Sequence, residues 1–166
     1  MTGPFLLWPD PRLRAKAAPV GAVTNEHRAI WSRMERAMWE MPGLGLAAPQ
    51  IGVPLRLAVV DCSDGKRESI RLADPELLEA SRSMRDHDEA SPNLPGIWAK
   101  VSRPEAVRVR YLDEAGAPAE RWFEGLWSTS VQHQIDHLDG RLFPDRLGPV
   151  KRKMLLDRYA KLRRRG

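Results

Sequence analysis

The stretch "VQHQIDHLDG", Val131–Gly140, places two histidines four residues apart. On an α-helix this spacing puts His133 and His137 on one face about one turn apart, so both rings can reach the same point. Zinc hydrolases use this spacing and place a glutamate directly after the first histidine, where it takes a proton from metal-bound water. Gln134 stands at that position. The stretch therefore predicts a helix with part of a metal site but without its base.

The composition is typical of one soluble globular domain. A chain of 166 residues is long enough for a core without cross-links, and its hydrophobic share of 42% is ordinary. Cys62 is the only cysteine, which excludes an intramolecular disulfide and favours a reducing compartment such as the cytoplasm. No stretch has the length and apolarity of a transmembrane helix, and the opening MTGPFLLWPDPRLR lacks the order of a signal peptide. We expect one domain over residues 1–166, without membrane attachment.

A basic segment follows the histidine motif. The net charge is +5, and KRKMLLDRYAKLRRRG at 151–166 sets eight lysines and arginines against one acid, Asp157. Such a run is typical of the solvated face of a helix, expected here at about 150–165. It could also attract the phosphates of RNA or of a ribosome, although specific recognition of a nucleic acid is not predicted.

The rest of the pattern predicts an α+β fold. Residues 24–41 carry apolar side chains at helical spacing, with Thr24 or Asn25 as the N-cap. Four further segments have the pattern of strands or of a hairpin: LRLAVV at 55–60, SIRLADP at 69–75, AVRVRYL at 106–112 and DEAGAPAERWFEG at 113–125. A helix, several mostly antiparallel strands and a second helix in this order indicate α+β rather than regularly alternating α/β.

Two more motifs precede the histidines: GLGLAAPQIG at Gly43–Gly52 and EASPNLPG at Glu89–Gly96. The glycines of the first motif allow the backbone to approach a ligand closely, and Gln50 can donate to a developing oxyanion. In their order and separation the three motifs resemble the peptide deformylase family, whose members carry GLGLAAPQIG, then EGCLS with a metal-binding cysteine, then QHExDHLDG. The resemblance extends over nearly the whole chain, from PDPRLR to RLFPDR.

The resemblance implies both a fold and an activity. Family members are cytoplasmic, metal-dependent amidohydrolases that remove the formyl group from the N-terminal formyl-methionine of nascent peptides. The implied fold has antiparallel sheets around a central helix that carries both histidines of HxxDH. In some bacterial members a basic C-terminal helix contacts the ribosome, so the resemblance implies a possible ribosome contact for the basic segment.

The metal site departs from the family pattern. The family metal, which is iron, zinc or nickel, is held by the cysteine of the second motif and by the positions of His133 and His137. Ser91 stands where that cysteine should be. A serine hydroxyl is neutral and far less acidic than a thiol, so it replaces a thiolate ligand poorly. Cys62 follows a strand, away from the motifs, and is not expected to take its place. A metal is therefore expected to be held weakly or not at all.

The groups that act on the substrate depart as well. Gln134 replaces the glutamate that serves as the base, and an amide cannot titrate. In the family the oxyanion is held by the glutamine at position 50 and by the backbone N–H of the residue after the cysteine. Here that residue is Pro92, which has no N–H. Gln50 is thus the one oxyanion donor that remains.

Other matched positions are intact or nearly so. The resemblance assigns the wall around the first side chain of the substrate to Leu44, Gly45, Leu126 and Thr129, beside His133. A pocket is therefore expected to persist. Asp136 is expected to pair with Arg103, because a buried carboxylate needs a partner. Glu89 is expected to bond only to backbone amides.

Three hypotheses follow. The preferred one is a peptide deformylase homologue that has lost hydrolysis of formyl-methionine through Ser91, Pro92 and Gln134. An alternative is a residual or altered amidohydrolase in which Gln134 orients water and the metal is weakly held. A further alternative is a module that binds nascent N-termini through the pocket, or the ribosome through the basic segment.

Overall fold

The computed structural model describes residues 3–166 and has the expected α+β composition. Met1 and Thr2, the first residues of the opening segment considered above, lie outside the described residues. The helices and strands are α1 (Asn25–Glu40), β1 (Gly45–Ala47), β2 (Leu57–Val60), β3 (Ile70–Ala80), β4 (Met84–Glu89), β5 (Ala99–Pro104), β6 (Ala106–Leu112), β7 (Pro118–Glu124), α2 (Leu126–Leu138) and α3 (Pro149–Arg165). Short 3₁₀ helices occur at Pro11–Arg14, Ala48–Ile51 and Phe143–Arg146.

The strands form two antiparallel sheets. Five strands pair in the order β1-β2-β3-β6-β7, and β4 pairs with β5 in a separate two-stranded sheet. The predicted hairpin at 113–125 is confirmed, because β6 and β7 pair from Ala106 opposite Glu124 to Leu112 opposite Pro118. The β4–β5 pair was not predicted, and it brings Glu89, the first residue of the second motif, beside the central helix.

Helix α1 lies within one residue of its predicted range. Thr24 is the N-cap, and its backbone N–H donates to Nδ1 of His27 at 3.0 Å. Trp31, Met34 and Met38 are fully buried and belong to the same core cluster as side chains of β1 and β2. The helical spacing of these apolar residues therefore identified the face that packs on the sheet.

Helix α2 is central in the fold and is buried along most of its length. It packs against β1, β2, β5 and β7. Gly45 permits the contact with β1, because a Cβ atom at this position would lie 2.6 Å from both Gln134 Nε2 and Ser130 Oγ. The glycine of the first motif therefore sets how closely the strand approaches the helix.

Helix α3 covers the basic segment and packs through its few apolar side chains. Tyr159 is buried in a cluster that includes Leu13 and Phe143, and its hydroxyl donates to the backbone oxygen of Trp8 at 2.9 Å. Most of the lysines and arginines of α3 are exposed. Across residues 3–166, none of the helices combines the length and apolarity needed to cross a membrane.

Candidate active site

A cavity of about 390 Å³ lies between β1, the second motif and α2. Eight of the residues assigned to the site from the sequence line it: Leu44, Gly45, Gln50, Ser91, Pro92, Thr129, His133 and Gln134. His137 is fully buried and does not line the cavity, although its ring lies against that of His133. The fold thus brings segments far apart in sequence to one place.

Leu126 is the exception, since it does not line the cavity. It is the first residue of α2, and seven residues of helix place it roughly 10 Å along the axis from His133. The wall nearest to it is formed by Thr129, whose Oγ accepts a hydrogen bond of 2.9 Å from Nη1 of Arg85. This side of the cavity is therefore polar, and Arg85 was not identified from the sequence.

The two histidines contact each other and a carboxylate. Nδ1 of His133 lies 2.8 Å from Oε1 of Glu89, and the Nε2 atoms of His133 and His137 are 3.1 Å apart. Burial alone would raise the pKa of Glu89, but hydrogen bonds and charge from His133 and Arg103 lower this pKa to about 2. Glu89 is therefore ionised and accepts from Nδ1–H of His133. Nε2 of His133 is then free to accept from Nε2–H of His137.

His137 is neutral in this arrangement. Complete burial holds the pKa of His137 well below its ordinary value, and the neighbouring His133 and the positive charge of Arg103 act in the same direction. With its single proton on Nε2, the ring has an unprotonated Nδ1, and this buried atom has no hydrogen-bond partner among residues 3–166.

A buried arginine holds this side of the site together. Arg103 donates to both oxygens of Glu89, at 2.6 and 2.9 Å, and to Oδ2 of Asp136 at 2.9 Å. The expected pair of Arg103 and Asp136 is confirmed. The expectation that Glu89 bonds only to backbone amides is wrong, because a fully buried carboxylate on β4 requires charged partners and finds them in Arg103 and His133.

Ser91 is part of a hydrogen-bonded turn rather than free to face the histidines. Its hydroxyl donates to Oδ1 of Asn93 at 3.1 Å, and Nε2 of Gln50 donates to the same oxygen at 2.7 Å. Asn93 is fully buried and was missed from the sequence. The signal was present, since an asparagine two residues after a serine in a Ser-Pro-Asn turn is typical of side-chain bonding within the turn.

Gln134 presents an amide to the cavity. Its Oε1 is buried and has no hydrogen-bond partner among the described residues. This amide can orient a water molecule but cannot take its proton. Pro92 lies on the same cavity wall and offers no N–H.

Comparison with known proteins identifies the family of this chain. The family model described as Polypeptide deformylase matches residues 3–153. The chain belongs to the polypeptide deformylase family. It is 43% identical over 164 residues to peptide deformylase 2 of Xanthomonas campestris pv. campestris, covering 97% of this chain and 96% of that protein.

Solved structures of the family share the fold. The peptide deformylase of Legionella pneumophila superposes with a TM-score of 0.88 at 39% identity, covering 96% of this chain and 94% of that chain. The peptide deformylase of Synechococcus elongatus in complex with actinonin gives a TM-score of 0.86 at 32% identity, covering 94% of this chain and 85% of that chain. The antiparallel α+β fold implied by the three motifs is therefore confirmed.

The polypeptide deformylase family is metal-dependent, but the residues present here do not fit a metal well. Within residues 3–166, no three His, Cys, Asp or Glu side chains converge so that they could hold an ion. Ser91 supplies only a neutral hydroxyl, which already donates to Asn93. A metal on Nε2 of His137 would also require the ring proton to move to Nδ1. This nitrogen is buried, and no acceptor for its proton lies within reach in the described chain. Ligating histidines normally donate this second N–H to an acceptor.

Cys62 does not supply the missing ligand. Its thiol contacts Ser130 of α2, so it lies closer to the third motif than expected, yet it does not line the cavity. Burial and the charge of Asp61 raise the pKa of Cys62 to about 12. A thiol that remains protonated is a poor metal ligand.

Proposed function

We propose that this chain is a polypeptide deformylase family member that no longer hydrolyses N-terminal formyl-methionine. The main support is that Ser91, Pro92 and Gln134 line one cavity together with His133. The three substitutions thus fall where the family places its thiolate ligand, an oxyanion donor and its base. Their common location links them to one reaction.

The expected losses are large enough to abolish useful turnover. Loss of a general base typically costs about 10² to 10⁴ in rate, and loss of one oxyanion donor about 10² to 10³. Gln50 does not compensate, because its Nε2 already donates to Asn93 at 2.7 Å. Such factors do not simply multiply when groups act as a unit. A metal that is poorly held does not activate the attacking water, so the other groups have no reaction to assist.

The test is formate release from a formyl-methionine peptide with zinc, nickel or ferrous iron supplied. We expect no turnover above a control with metal and no protein. We also expect the chain, purified without a chelator, to contain well below one metal ion per molecule by elemental analysis. Turnover that is abolished by His133→Ala would instead support a residual or altered amidohydrolase. Stoichiometric, tightly bound zinc, nickel or iron would contradict the proposal.

A second candidate is a binding role in the cytoplasm, favoured by the persistence of the cavity of about 390 Å³ and by the exposed basic residues of α3. The cavity would receive the N-terminus of a nascent peptide, and α3 would contact the ribosome. Deletion of α3 would be a poor test, because Tyr159 is part of the core. Replacing the exposed Lys161 and Arg165 by glutamine should weaken salt-sensitive co-sedimentation with ribosomes. Unchanged co-sedimentation would exclude the contact through α3.

A further inference from the structure

A second cavity, of about 400 Å³, is lined only by charged side chains, and four of the five are arginines. We call this set the arginine pocket: Arg14, Arg141, Asp145, Arg146 and Arg152. Its members come from the first 3₁₀ helix, the loop after α2, the 3₁₀ helix at 143–146 and the first turn of α3. The fold, and not a local run of basic residues, therefore brings these charges together.

The positive charge of the pocket is only partly balanced. Asp145 accepts from Arg14, and its Oδ1 lies 4.0 Å from Nη1 of Arg152. Arg146 donates to Asp136 at 2.9 Å, but that carboxylate also accepts from the buried Arg103.

Arg141 adds a charge without a local partner. It is exposed and forms no ion pair within the described part of the chain. Among the residues that line the pocket, Asp145 is thus the one carboxylate beside four guanidinium groups. Like charges held this close repel one another, and a bound anion would reduce that repulsion.

The start of α3 adds to the positive potential. Its first turn contains no acidic residue, whereas Lys151 and Arg152 lie there. The N-terminal end of a helix carries a partial positive charge, so basic residues at this end are unfavourable and an anion is favourable. The N-cap, Gly148, provides no side-chain hydrogen bond to the first turn.

We propose that the arginine pocket is a binding site for a phosphate group. Guanidinium groups bind phosphate oxygens through paired hydrogen bonds, and four of them can surround one group. A phosphomonoester carries about −1.5 to −2 charges near neutral pH, which suits the excess of positive charge. The group can belong to a small phosphorylated molecule or to the backbone of RNA, since both present the same oxygens.

The test is a calorimetric titration of the full chain, at low salt, with inorganic phosphate and with a nucleoside monophosphate. Arg141→Ala and Arg152→Ala are suitable variants because both side chains are largely exposed, whereas Arg14 and Arg146 hold carboxylates in place. Each should weaken binding by about tenfold or more, the loss expected for one charge-assisted contact.

Arg164→Ala is the matched control. It removes the same charge from the same helix, roughly 18 Å along the axis from Arg152. The control should leave phosphate affinity unchanged, and thermal unfolding should show that all three variants are folded. Binding lost equally in the control and in the pocket variants would overturn the proposal. So would the absence of binding to the intact chain at millimolar phosphate.

A single-stranded RNA oligonucleotide distinguishes the two sources of phosphate. If it binds more tightly than the monophosphate, and Arg141→Ala lowers the slope of log affinity against log salt by about 0.7, the backbone of RNA is the ligand. If it binds no more tightly, the site takes a small phosphate. Either outcome supports the site. These experiments measure binding and not formate release, so their outcome does not depend on the proposed loss of hydrolysis.

Discussion

Ser91 differs from a cysteine by one atom, yet the difference decides which groups the side chain binds. A thiolate would turn towards a cation, whereas the hydroxyl donates to Oδ1 of Asn93. That oxygen also receives the amide of Gln50, so three neutral polar groups satisfy one another. At the scale of single residues, the hydroxyl of Ser91 thus forms hydrogen bonds that need no ion.

The triple variant Ser91→Cys, Pro92→Leu and Gln134→Glu should recover deformylase activity. It restores a thiolate, a backbone N–H and a base in a cavity whose remaining lining, including Gln50 and His133, is in place. Formate release and metal content should rise together. The same chain with His133→Ala is the control and should show neither. A triple variant that binds one metal ion per chain but releases no formate would show that the loss extends beyond these three positions.

The motifs predicted most of the site because its residues lie within short, ordered segments. Ser91, Pro92 and Gln134 could be read directly from their positions in those segments. Arg85 could not, because it reaches Thr129 only through the pairing of β4 with β5 and the packing of α2. Contacts of this kind depend on tertiary structure and have no local signal.

At the scale of elements, Arg103 connects three of them. It lies on β5 and binds Glu89 at the end of β4 and Asp136 on α2. All three side chains are buried, so each charge depends on the others for the solvation that water would provide. The two-stranded sheet is thereby fixed to the central helix.

Arg103→Leu should therefore be strongly destabilising. It would leave Glu89 and Asp136 with fewer partners in a buried site, at a cost of about 3 to 5 kcal/mol in the free energy of unfolding. Arg110→Leu is the matched control, because the pair of Arg110 and Glu76 is exposed and screened by solvent, so its loss should have a much smaller effect on the free energy of unfolding. Urea unfolding followed by tryptophan fluorescence measures both. Equal losses in the two variants would contradict a central role for Arg103.

Local periodicity predicted some elements well and others poorly. Strand β6 matches its predicted range because AVRVRYL alternates apolar and polar residues. Strand β3 continues to Ala80, beyond the predicted end at Pro75. The register of β3 shifts between Ala73 and Glu76, and Asp74 has a φ of 49°, so an irregularity accommodates the proline. Strand β4, MRDHDE, is too polar for its pattern to identify a strand.

At the scale of the whole molecule, segments from both ends of the described chain complete the second core cluster. Leu13 comes from the first 3₁₀ helix and Tyr159 from α3, and both pack with residues that follow α2. The hydroxyl of Tyr159 also reaches back to the backbone of Trp8. This packing requires no ion, so the fold does not depend on a bound metal at this cluster.

Tyr159→Ala should therefore destabilise the whole molecule, and not only α3. Loss of a large buried aromatic side chain costs about 3 to 5 kcal/mol. Met154→Ala is the control on the same helix, because Met154 is 67% exposed, and its effect should stay within about 0.5 kcal/mol. Thermal unfolding monitored by circular dichroism tests both. A single transition shifted only by Tyr159→Ala is expected, whereas separate melting of α3 would contradict the idea of one shared core.

The environment of Cys62 has a practical consequence. The pKa of this thiol, the only one in the chain, is raised to about 12, so almost none of it reacts with alkylating reagents at neutral pH. In the Ser91→Cys variant the second sulfur would stand at the cavity wall. A maleimide dye would then label one position, and its emission would report on any molecule that enters.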